Sequence, residues 1–299
     1  MDRIDAMRAF VLAVDGGGLA TAARRLGRSP AAVTRAIAFL EEQVGTRLLR
    51  RTTRSSSPTE AGERFLESCR RILADFDEAH ALAAGEKSVP RGILTVTAPA
   101  VFGRRHVRPV IDAFLDAHQT VQAKLLLLDR VVNLVDEGID VALRIGHLPD
   151  STLIATKVGR IRRVVCASPD FLAHAPAIER PEDLTTVPCI AFGQIADGQT
   201  WGFPAPQGRA QVPIRTRLAV NSAEAAIDSA LEGKGVTCVL SYQIADHVRS
   251  GRLVVLLRDF EPPEMPVHLV YPEARLAAAK VRAFVDFAVP RLREAPLYE

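Results

Sequence analysis

Residues 19–44 are LATAARRLGRSPAAVTRAIAFLEEQV, a stretch that predicts two short helices joined by a tight turn. Gly27 favours the end of the first helix because glycine adopts the left-handed conformation without steric cost. Ser29 is a good N-cap, and Pro30 suits the first helical position because its missing N–H would be unpaired there. The stretch therefore predicts a helix-turn-helix, with an ordinary helical hairpin as the alternative.

The second of these helices has two distinct faces. Its apolar residues recur at spacings of four, three and four, which predicts one buried stripe of Val33, Ile37, Leu40 and Val44. The opposite face is small, polar and basic, as a helix entering a DNA major groove requires, and it carries Ala31, Thr34, Arg35 and Ala38. The predicted DNA contacts on this helix are therefore Ser29, Pro30, Ala31, Thr34 and Arg35.

The segment after Gly45 predicts a basic wing beside this helix. It places Arg50, Arg51 and Arg54 among serine and threonine residues, and such side chains are the usual donors to phosphate oxygens. Residues 1–62 contain 10 Arg against 6 Asp or Glu, which gives this segment a net charge of +4. The whole chain has a net charge of +3, so the remaining residues sum to −1. We expect Arg51 and Arg54 to contact DNA phosphates, with a merely solvated basic loop as the alternative.

A long helix is predicted from Thr59 to about Lys87. Its apolar residues repeat as heptads, which gives a narrow seam of Phe65, Cys69, Ile72, Phe76 and Ala79. Such a seam favours a partner helix, and a two-fold dimer would present two recognition helices to a palindromic DNA site. Packing of the seam on the chain's own body remains the alternative.

After residues 88–92 the pattern changes to strands alternating with helices, which predicts right-handed crossovers and a parallel sheet. We expect a helix over Phe102–His118 and a short helix over Val131–Glu137. Proline and glycine cluster between residues 193 and 213, so we expect that region to be mostly loop.

Composition excludes several classes of protein. The N-terminus lacks a secretory signal and no apolar run approaches a membrane span, so we expect a soluble, cytoplasmic protein without membrane contact. Four cysteines are scattered without a CxxC pair, which argues against a disulfide framework or a metal site. A redox-sensing pair among Cys166, Cys189 and Cys238 remains an alternative, and no cofactor is expected.

A family resemblance covers essentially the whole chain. It rests on Ala22-Ala23, Leu26, Ser29-Pro30-Ala31, Thr34, Ile37, Leu40-Glu41, Gly45, Leu48, Arg51, Arg54, Thr59 and Ala61-Gly62, and on the segments GILTVTAPAVFG, DEGIDVALRIG and VVCASPDFLA. Together these are similar to the LysR-type transcriptional regulators, in the subgroup whose effector domain has an SAPxxFG-like opening. Three residues depart from the usual pattern: Leu49 in place of Phe, Pro58 in place of Leu, and Thr34 in place of Ser.

The resemblance implies an all-α winged helix-turn-helix domain over residues 1–58, a long linker (dimerisation) helix and hinge over 59–89, and an effector-binding domain over 90–299. The last is expected to be an α/β type 2 periplasmic-binding-protein fold of two subdomains. Subdomain 1 would comprise 91–162 and 267–299, and subdomain 2 would comprise 163–266, with hinges near 160–163 and 266–269. The implied partners are double-stranded promoter or operator DNA, a small-molecule effector and further copies of the chain in a dimer, tetramer or larger homo-oligomer, with RNA polymerase as a further candidate.

Ligands of such sheets bind beyond the carboxyl ends of the strands, between subdomains. Three junctions meet that description, and their candidate residues are Pro99, Ala100, Val101, Phe102, Arg144, Gly146, His147, Asn221 and Ser222, with Phe192 as an apolar wall. Free N–H groups at helix starts favour an anion. Arg144 would add a donor if it faces the cleft, and a surface salt bridge is its alternative. Because residues 98–101 offer no hydroxyl, we expect an organic anion or aromatic acid held by backbone N–H groups and apolar contacts.

Two other functions compete with a DNA-binding regulator. A cytoplasmic solute-binding or sensor protein would use the same α/β body, but the basic helical head argues against it. An enzyme would need a catalytic motif, and the sequence lacks a His-Glu-x-x-His zinc motif, a Gly-x-Ser-x-Gly elbow and a glycine-rich phosphate loop after a strand. The sequence therefore favours a regulator that is not an enzyme.

Overall fold

The computed structural model describes residues 2–51, 56–83, 89–148, 152–193 and 199–295, and it divides into two compact units, Met1–Val89 and Pro90–Glu299. The N-terminal unit contains helices α1 (Arg3–Asp15), α2 (Leu19–Leu26), α3 (Pro30–Val44) and α4 (Glu60–Ala83), and strands β1 (Leu49–Arg51) and β2 (Ser56–Pro58). None of the described helices is long and apolar enough to cross a lipid bilayer.

Local signals set the helix-turn-helix as predicted. Gly27 ends α2 with φ of 61°, and the Ser29 hydroxyl caps α3 by accepting from Ala32 N at 3.2 Å. The core of the unit is formed by apolar residues of α1, α2, α3, the wing and α4, among them Phe10, Ala22, Val33, Ile37, Leu40, Leu48 and Leu66. Val44 is 42% exposed at the last turn of α3, so its predicted place in the buried stripe is wrong.

The predicted wing contains an antiparallel hairpin of β1 and β2, in which Leu49 pairs with Pro58. The Glu41 carboxylate holds its first strand by accepting from Leu48 N at 2.9 Å and Leu49 N at 3.1 Å. On the other side Gly62 lies so close that a Cβ there would be 2.0 Å from the Leu48 oxygen. Arg54 lies outside the described residues, as does the side chain of Arg51.

Helix α4 begins as expected, because the Thr59 hydroxyl accepts from Gly62 N at 2.9 Å. Its predicted seam is divided, however. Cys69 is fully buried in the N-terminal core and the Phe65 ring lies 6.0 Å from Phe10, so these two residues are used within the chain. Ile72 and Phe76 are exposed, while the side chain of Ala79 and residues 84–88 lie outside the described part.

The C-terminal unit contains two mixed five-stranded sheets, which define a first and a second lobe. The first lobe has the strand order β4-β3-β5-β14-β6, formed by β3 (Gly92–Ala98), β4 (Val121–Leu127), β5 (Val141–Ile145), β6 (Leu153–Ile161) and β14 (Met265–Pro272). Its helices are α5 (Ala100–Phe102), which continues through a π-helical turn (Gly103–Val107) into α6 (Arg108–Ala117), and α10 (Ala279–Glu294).

The second lobe has the strand order β11-β8-β12-β7-β13, formed by β7 (Arg163–Ala167), β8 (Pro188–Phe192), β11 (Arg215–Val220), β12 (Val236–Leu240) and β13 (Val254–Leu256). Helices α8 (Ala223–Leu231) and α9 (Ser241–Arg249) cover one face, where Ala226, Ile227 and Ile244 pack. Helix α7 (Pro169–His174) and a hairpin of β9 (Thr200–Ala205) and β10 (Gly208–Pro213) complete the lobe.

Both sheets are mixed rather than parallel, so that prediction is wrong. β3, β4 and β5 are parallel, but β14 returns antiparallel between β5 and β6. In the second lobe β7 is antiparallel to both β12 and β13. The reason is that the chain passes between the lobes twice. The first strand after each passage, β7 or β14, therefore runs antiparallel to its neighbours in the sheet that it joins.

The two crossover segments lie at Arg162, between β6 and β7, and at residues 257–264, between β13 and β14. β14 runs without a break through residues 266–269, so the second crossing precedes the expected hinge. Arg162 Nη1 binds both carboxylate oxygens of Glu261, at 3.0 and 2.7 Å, and this pair ties the crossovers together. Ser241, which begins α9, exchanges hydrogen bonds with the Arg162 backbone.

Two local predictions in the C-terminal unit are wrong. Residues 131–137 do not form a helix, and a turn covers 134–138, because Asn133 Oδ1 accepts from Val135 N and Asp136 N in place of the helical pattern. Residues 200–213 form a hairpin rather than a loop. Its prolines and glycines lie at the turn and on a two-stranded ribbon, while Phe203 and Val212 pack into the core.

A buried carboxylate secures the first lobe and gives a test of the fold. Asp140 is 2% exposed, accepts from Thr95 N at 2.9 Å and lies 3.0 Å from Lys280 Nζ. Asp140→Ala would leave the lysine buried without its partner, so we expect a loss of about 3 kcal/mol in unfolding free energy. Urea denaturation followed by Trp201 emission measures it. Asp112→Ala, which removes an exposed ion pair with Arg108, should change stability by under about 0.5 kcal/mol. Equal effects of the two variants would contradict this account.

Candidate functional site

The outward face of α3 has the exposure that the groove prediction requires. Ala31, Arg35 and Ala38 are exposed and Thr34 is half-buried, whereas Ala36 and Ile37 on the opposite face are buried. Ser29 and Pro30 are exposed at the start of the helix. Small side chains next to one arginine let the helix backbone approach a base pair closely, so few side chains would carry the sequence preference.

Two groups can be distinguished among the described arginines of the N-terminal unit. The first group is paired within the unit: Arg8 with Asp77, Arg28 with Asp5, Arg64 with Glu60 and Arg70 with Asp15, while Arg3 donates to Gln43. The second group is exposed and has no carboxylate partner among the described residues: Arg24, Arg25, Arg35, Arg47 and Arg50. Unpaired guanidinium groups remain available for phosphate oxygens. Arg24, Arg25 and Arg47 were not predicted from the sequence, because only the fold shows which arginines are already paired.

The second candidate site lies between the lobes of the C-terminal unit. Tyr242 of α9 packs edge-on against Phe102 of the first lobe at 5.2 Å, and the Arg105 guanidinium donates to the Tyr242 carbonyl at 3.0 Å. Arg104 pairs with Glu224 of α8. These contacts hold the segment 100–107 against the N-terminal ends of α8 and α9.

A cavity of about 310 Å³ lies beside these contacts, lined by Val101, Arg105, Glu224, Ile227, Asp228, Gln243 and His247. Both lobes contribute to it, which is the position expected for a ligand that holds the lobes together. Val101 and Ile227 are its apolar members. Its charged groups are of both signs, so the lining can accept an acidic group and a hydrogen-bond donor of the same ligand.

Two histidines near this cavity have buried nitrogens without a partner among the described residues: Nδ1 of His247 and Nε2 of His106. Burial lowers the pKa of His247, and the charges of Arg252 and Arg105 lower it further against Asp246 and Asp228. Burial and the charge of Arg105 likewise lower the pKa of His106. His247 lines the cavity, while its Nδ1 is itself buried from water.

Only some of the residues predicted at the first junction line the cavity. At the first junction Val101 lines the cavity, but Phe102 is fully buried in the lobe interface. Ala100 N, at the helix start that follows Pro99, donates to Asp129 at 2.9 Å, so this amide is already satisfied by a carboxylate of the chain. An external anion at that helix start would meet the Asp129 charge.

At the other two junctions, most of the polar groups form hydrogen bonds within the chain. The Arg144 guanidinium is half-buried and donates to the Val132 carbonyl at 3.4 Å, which is neither of the two roles considered for it. Gly146 N donates to Pro266 O, and His147 is exposed. Asn221 is exposed, Ser222 Oγ caps α8 by accepting from Ala225 N at 3.3 Å, and Phe192 packs between the core clusters of the two lobes.

The cavity residues that the sequence analysis missed are Arg105, Glu224, Ile227, Asp228, Gln243 and His247. Arg105 belongs to an Arg-Arg-His run directly after the predicted junction, and this run of basic residues could have indicated an anion-binding position. The others lie along α8 and α9, beyond the helix starts on which the prediction was based. Only the packing of α5 against these helices brings them to one place.

The thiols are placed as structural groups. Cys69, Cys166, Cys189 and Cys238 are all buried and unpaired. Burial raises the pKa of Cys69 and Cys238 to about 11 and that of Cys166 and Cys189 to about 12. Because the thiolate is the form that reacts with oxidants, these values argue against the redox-sensing alternative. Among the described residues no cluster of three His, Cys, Asp or Glu could hold a metal ion.

Two families match the chain. Residues 4–63 match the bacterial regulatory helix-turn-helix proteins of the lysR family, and residues 87–293 match the LysR substrate binding domain. The chain is 34% identical to the HTH-type transcriptional regulator PtxR of Pseudomonas aeruginosa, over 93% of this chain and 89% of that protein. It is 33% identical to the HTH-type transcriptional regulator DmlR of Escherichia coli, over 94% of this chain and 92% of that protein.

A solved structure agrees over nearly the full length. CrgA, a LysR-type transcriptional regulator from Neisseria meningitidis, has a TM-score of 0.61 and 28% identity, and the match covers 96% of this chain and 98% of that one. The relatives are transcriptional regulators, which favours that reading over the enzyme and solute-binding alternatives.

Two arginines of the second group, Arg50 on the wing and Arg35 on α3, should respond differently to substitution. Arg50→Ala should weaken binding to all DNA sequences and reduce the slope of log affinity against log salt by about 0.9, because one phosphate contact is lost. Arg35→Ala should cost about 1–3 kcal/mol on the preferred site and much less on unrelated DNA. Fluorescence anisotropy on a site selected from random-sequence DNA measures both.

The control is Arg108→Ala, which removes an exposed arginine of the C-terminal unit and should change neither quantity. If Arg50→Ala and Arg35→Ala both leave binding unaltered, the assignment of this face to DNA is wrong.

Proposed function

This chain belongs to the LysR family of bacterial transcriptional regulators, and we propose that a small organic acid bound between its two lobes controls its action on DNA. Like other members of this family, it is a DNA-binding transcriptional regulator with an effector-binding domain. The observation that carries the proposal is the cavity between the lobes, lined by Arg105 of the first lobe and by Asp228 and His247 of the second.

The lining supports an acid that carries other polar groups. The ligand carboxylate would pair with Arg105, whose nearest carboxylate partner, Asp246, is 3.9 Å away. A hydroxyl or amino group of the ligand would reach Asp228 or Glu224. Because the apolar lining is limited to Val101 and Ile227, an aliphatic hydroxy acid or amino acid suits this cavity better than the aromatic acid considered from the sequence.

Binding there would act on the relative position of the lobes. Arg105 belongs to the first lobe, whereas Asp228 and His247 belong to the second. A ligand that contacts both sides favours the arrangement in which its partners are close, and it shifts the equilibrium by its difference in affinity for the two arrangements. We propose that this shift is the signal that alters DNA binding by the oligomer, with the exposed Ile72 and Phe76 of α4 contacting a second copy.

Isothermal titration calorimetry of the full chain tests the effector class. Lactate, tartrate and serine provide hydroxy, dicarboxylic and amino acids. We expect measurable binding within this set, and Arg105→Gln should weaken it about tenfold or more because a charge-assisted hydrogen bond is lost. Arg108→Gln, on the same helical segment but paired with Asp112 at the surface, is the matched control. Full retention of binding by Arg105→Gln would remove this cavity as the site.

The pH dependence of that binding gives a second test. The pKa of His247 is held below its ordinary value by burial, Arg252 and Arg105. A bound carboxylate beside the ring would raise that pKa, so binding should take up a proton and strengthen as pH falls from about 7.5 towards 6. Calorimetry in buffers of different ionisation enthalpy counts the proton. His247→Gln should remove the uptake, and an uptake unchanged by that substitution would contradict the assignment.

A further inference from the structure

A second cavity, of about 110 Å³, lies within the second lobe, between the β9–β10 hairpin and the sheet. Its polar lining includes Arg163, Arg209, Gln211 and Glu261, and its apolar lining includes Trp201 and Phe260. No residue lines both this cavity and the one between the lobes. The volume is several times the roughly 10–15 Å³ that admits one water molecule, so a small organic molecule fits.

The cavity has an excess of positive charge. Glu261 is already neutralised by Arg162, which contacts both of its carboxylate oxygens. Arg163 and Arg209 have no carboxylate partner among the described residues, and both lie close enough to Cys238 to lower the pKa of its buried thiol against the effect of burial. Two guanidinium groups that converge on one partly enclosed space favour an anion between them.

The position of Arg209 is built into the hairpin. Its side chain lies across Gly202 on the neighbouring strand, where a Cβ would be only 2.0 Å from Arg209 Nε. Gln211 Oε1 accepts from Thr200 at 3.0 Å, which leaves the amide nitrogen of Gln211 as a further donor. The donors are therefore placed by the hairpin before any ligand arrives.

We propose that this cavity is a second ligand site, which binds a small aromatic monocarboxylate through Arg163 and Arg209. The ring lies against Trp201 and Phe260, and the carboxylate accepts from the two guanidinium groups. The site is separate from the one between the lobes and differs from it in chemistry, because it has an excess of positive charge and aromatic walls. It adjoins both crossover segments through Arg163 and Glu261.

The chain reports on this site by itself, because Trp201 is its only tryptophan. Titration of the full chain with sodium benzoate at constant ionic strength should produce a saturable change in tryptophan emission below about 10 mM. Arg209→Gln should weaken the apparent affinity about tenfold or more, and Gly202→Ala should do the same because its methyl group displaces the arginine. The neutral isostere benzamide should produce no saturable change.

Two controls separate this site from its alternatives. Arg217→Gln removes an exposed arginine of the same lobe and should leave the titration unchanged, as should Arg105→Gln in the cavity between the lobes. Far-UV circular dichroism checks that each variant is folded. The proposal is overturned if wild-type emission does not saturate, if benzamide acts like benzoate, or if Arg105→Gln abolishes the change while Arg209→Gln does not. A failure here leaves the calorimetric test of the other cavity unaffected.

Discussion

The ion pair between Arg162 and Glu261 links the two segments in which the chain passes from one lobe to the other, and the geometry of the C-terminal unit depends on it. The Glu261 side chain is 13% exposed and that of Arg162 is 34% exposed, so the carboxylate is largely sheltered from water. The Arg162 backbone also exchanges hydrogen bonds with Ser241, which begins α9. Helix α9 in turn carries Tyr242 to Phe102 and His247 to the cavity, so the crossover and the cleft are parts of one connected structure.

Ion pairs also link the helices of the N-terminal unit. Its acidic side chains pair with arginines that hold the helices together, such as Arg70 with Asp15 and Arg28 with Asp5. The arginines left over are exposed, and Arg35 is among them on the small-residue face of α3. The whole chain has a net charge of only +3, yet its DNA-binding unit presents several arginines without a carboxylate partner among the described residues.

Sequence alone predicted those features that depend on local rules. Gly27, Ser29 and Pro30 set the turn and cap of the helix-turn-helix as their chemistry requires. Features that depend on partners distant in sequence were missed. The hairpin at 200–213 was concealed by its prolines, and Arg105 and His247 become neighbours only when α5 packs on α9. Phe65 and Cys69 fitted a heptad seam, yet the nearest apolar surface was the chain's own core.

The central claim is that an acid bound between the lobes alters how the regulator holds DNA. DNase I footprinting tests it most directly, on a DNA site selected by the chain, without acid and with an acid at a concentration that saturates the calorimetric site. The account predicts that the protected region changes in extent, or that the protein concentration for half-protection shifts about fivefold or more, because coupling between two ligands is reciprocal. An unchanged footprint at every protein concentration, with the acid bound, would contradict it.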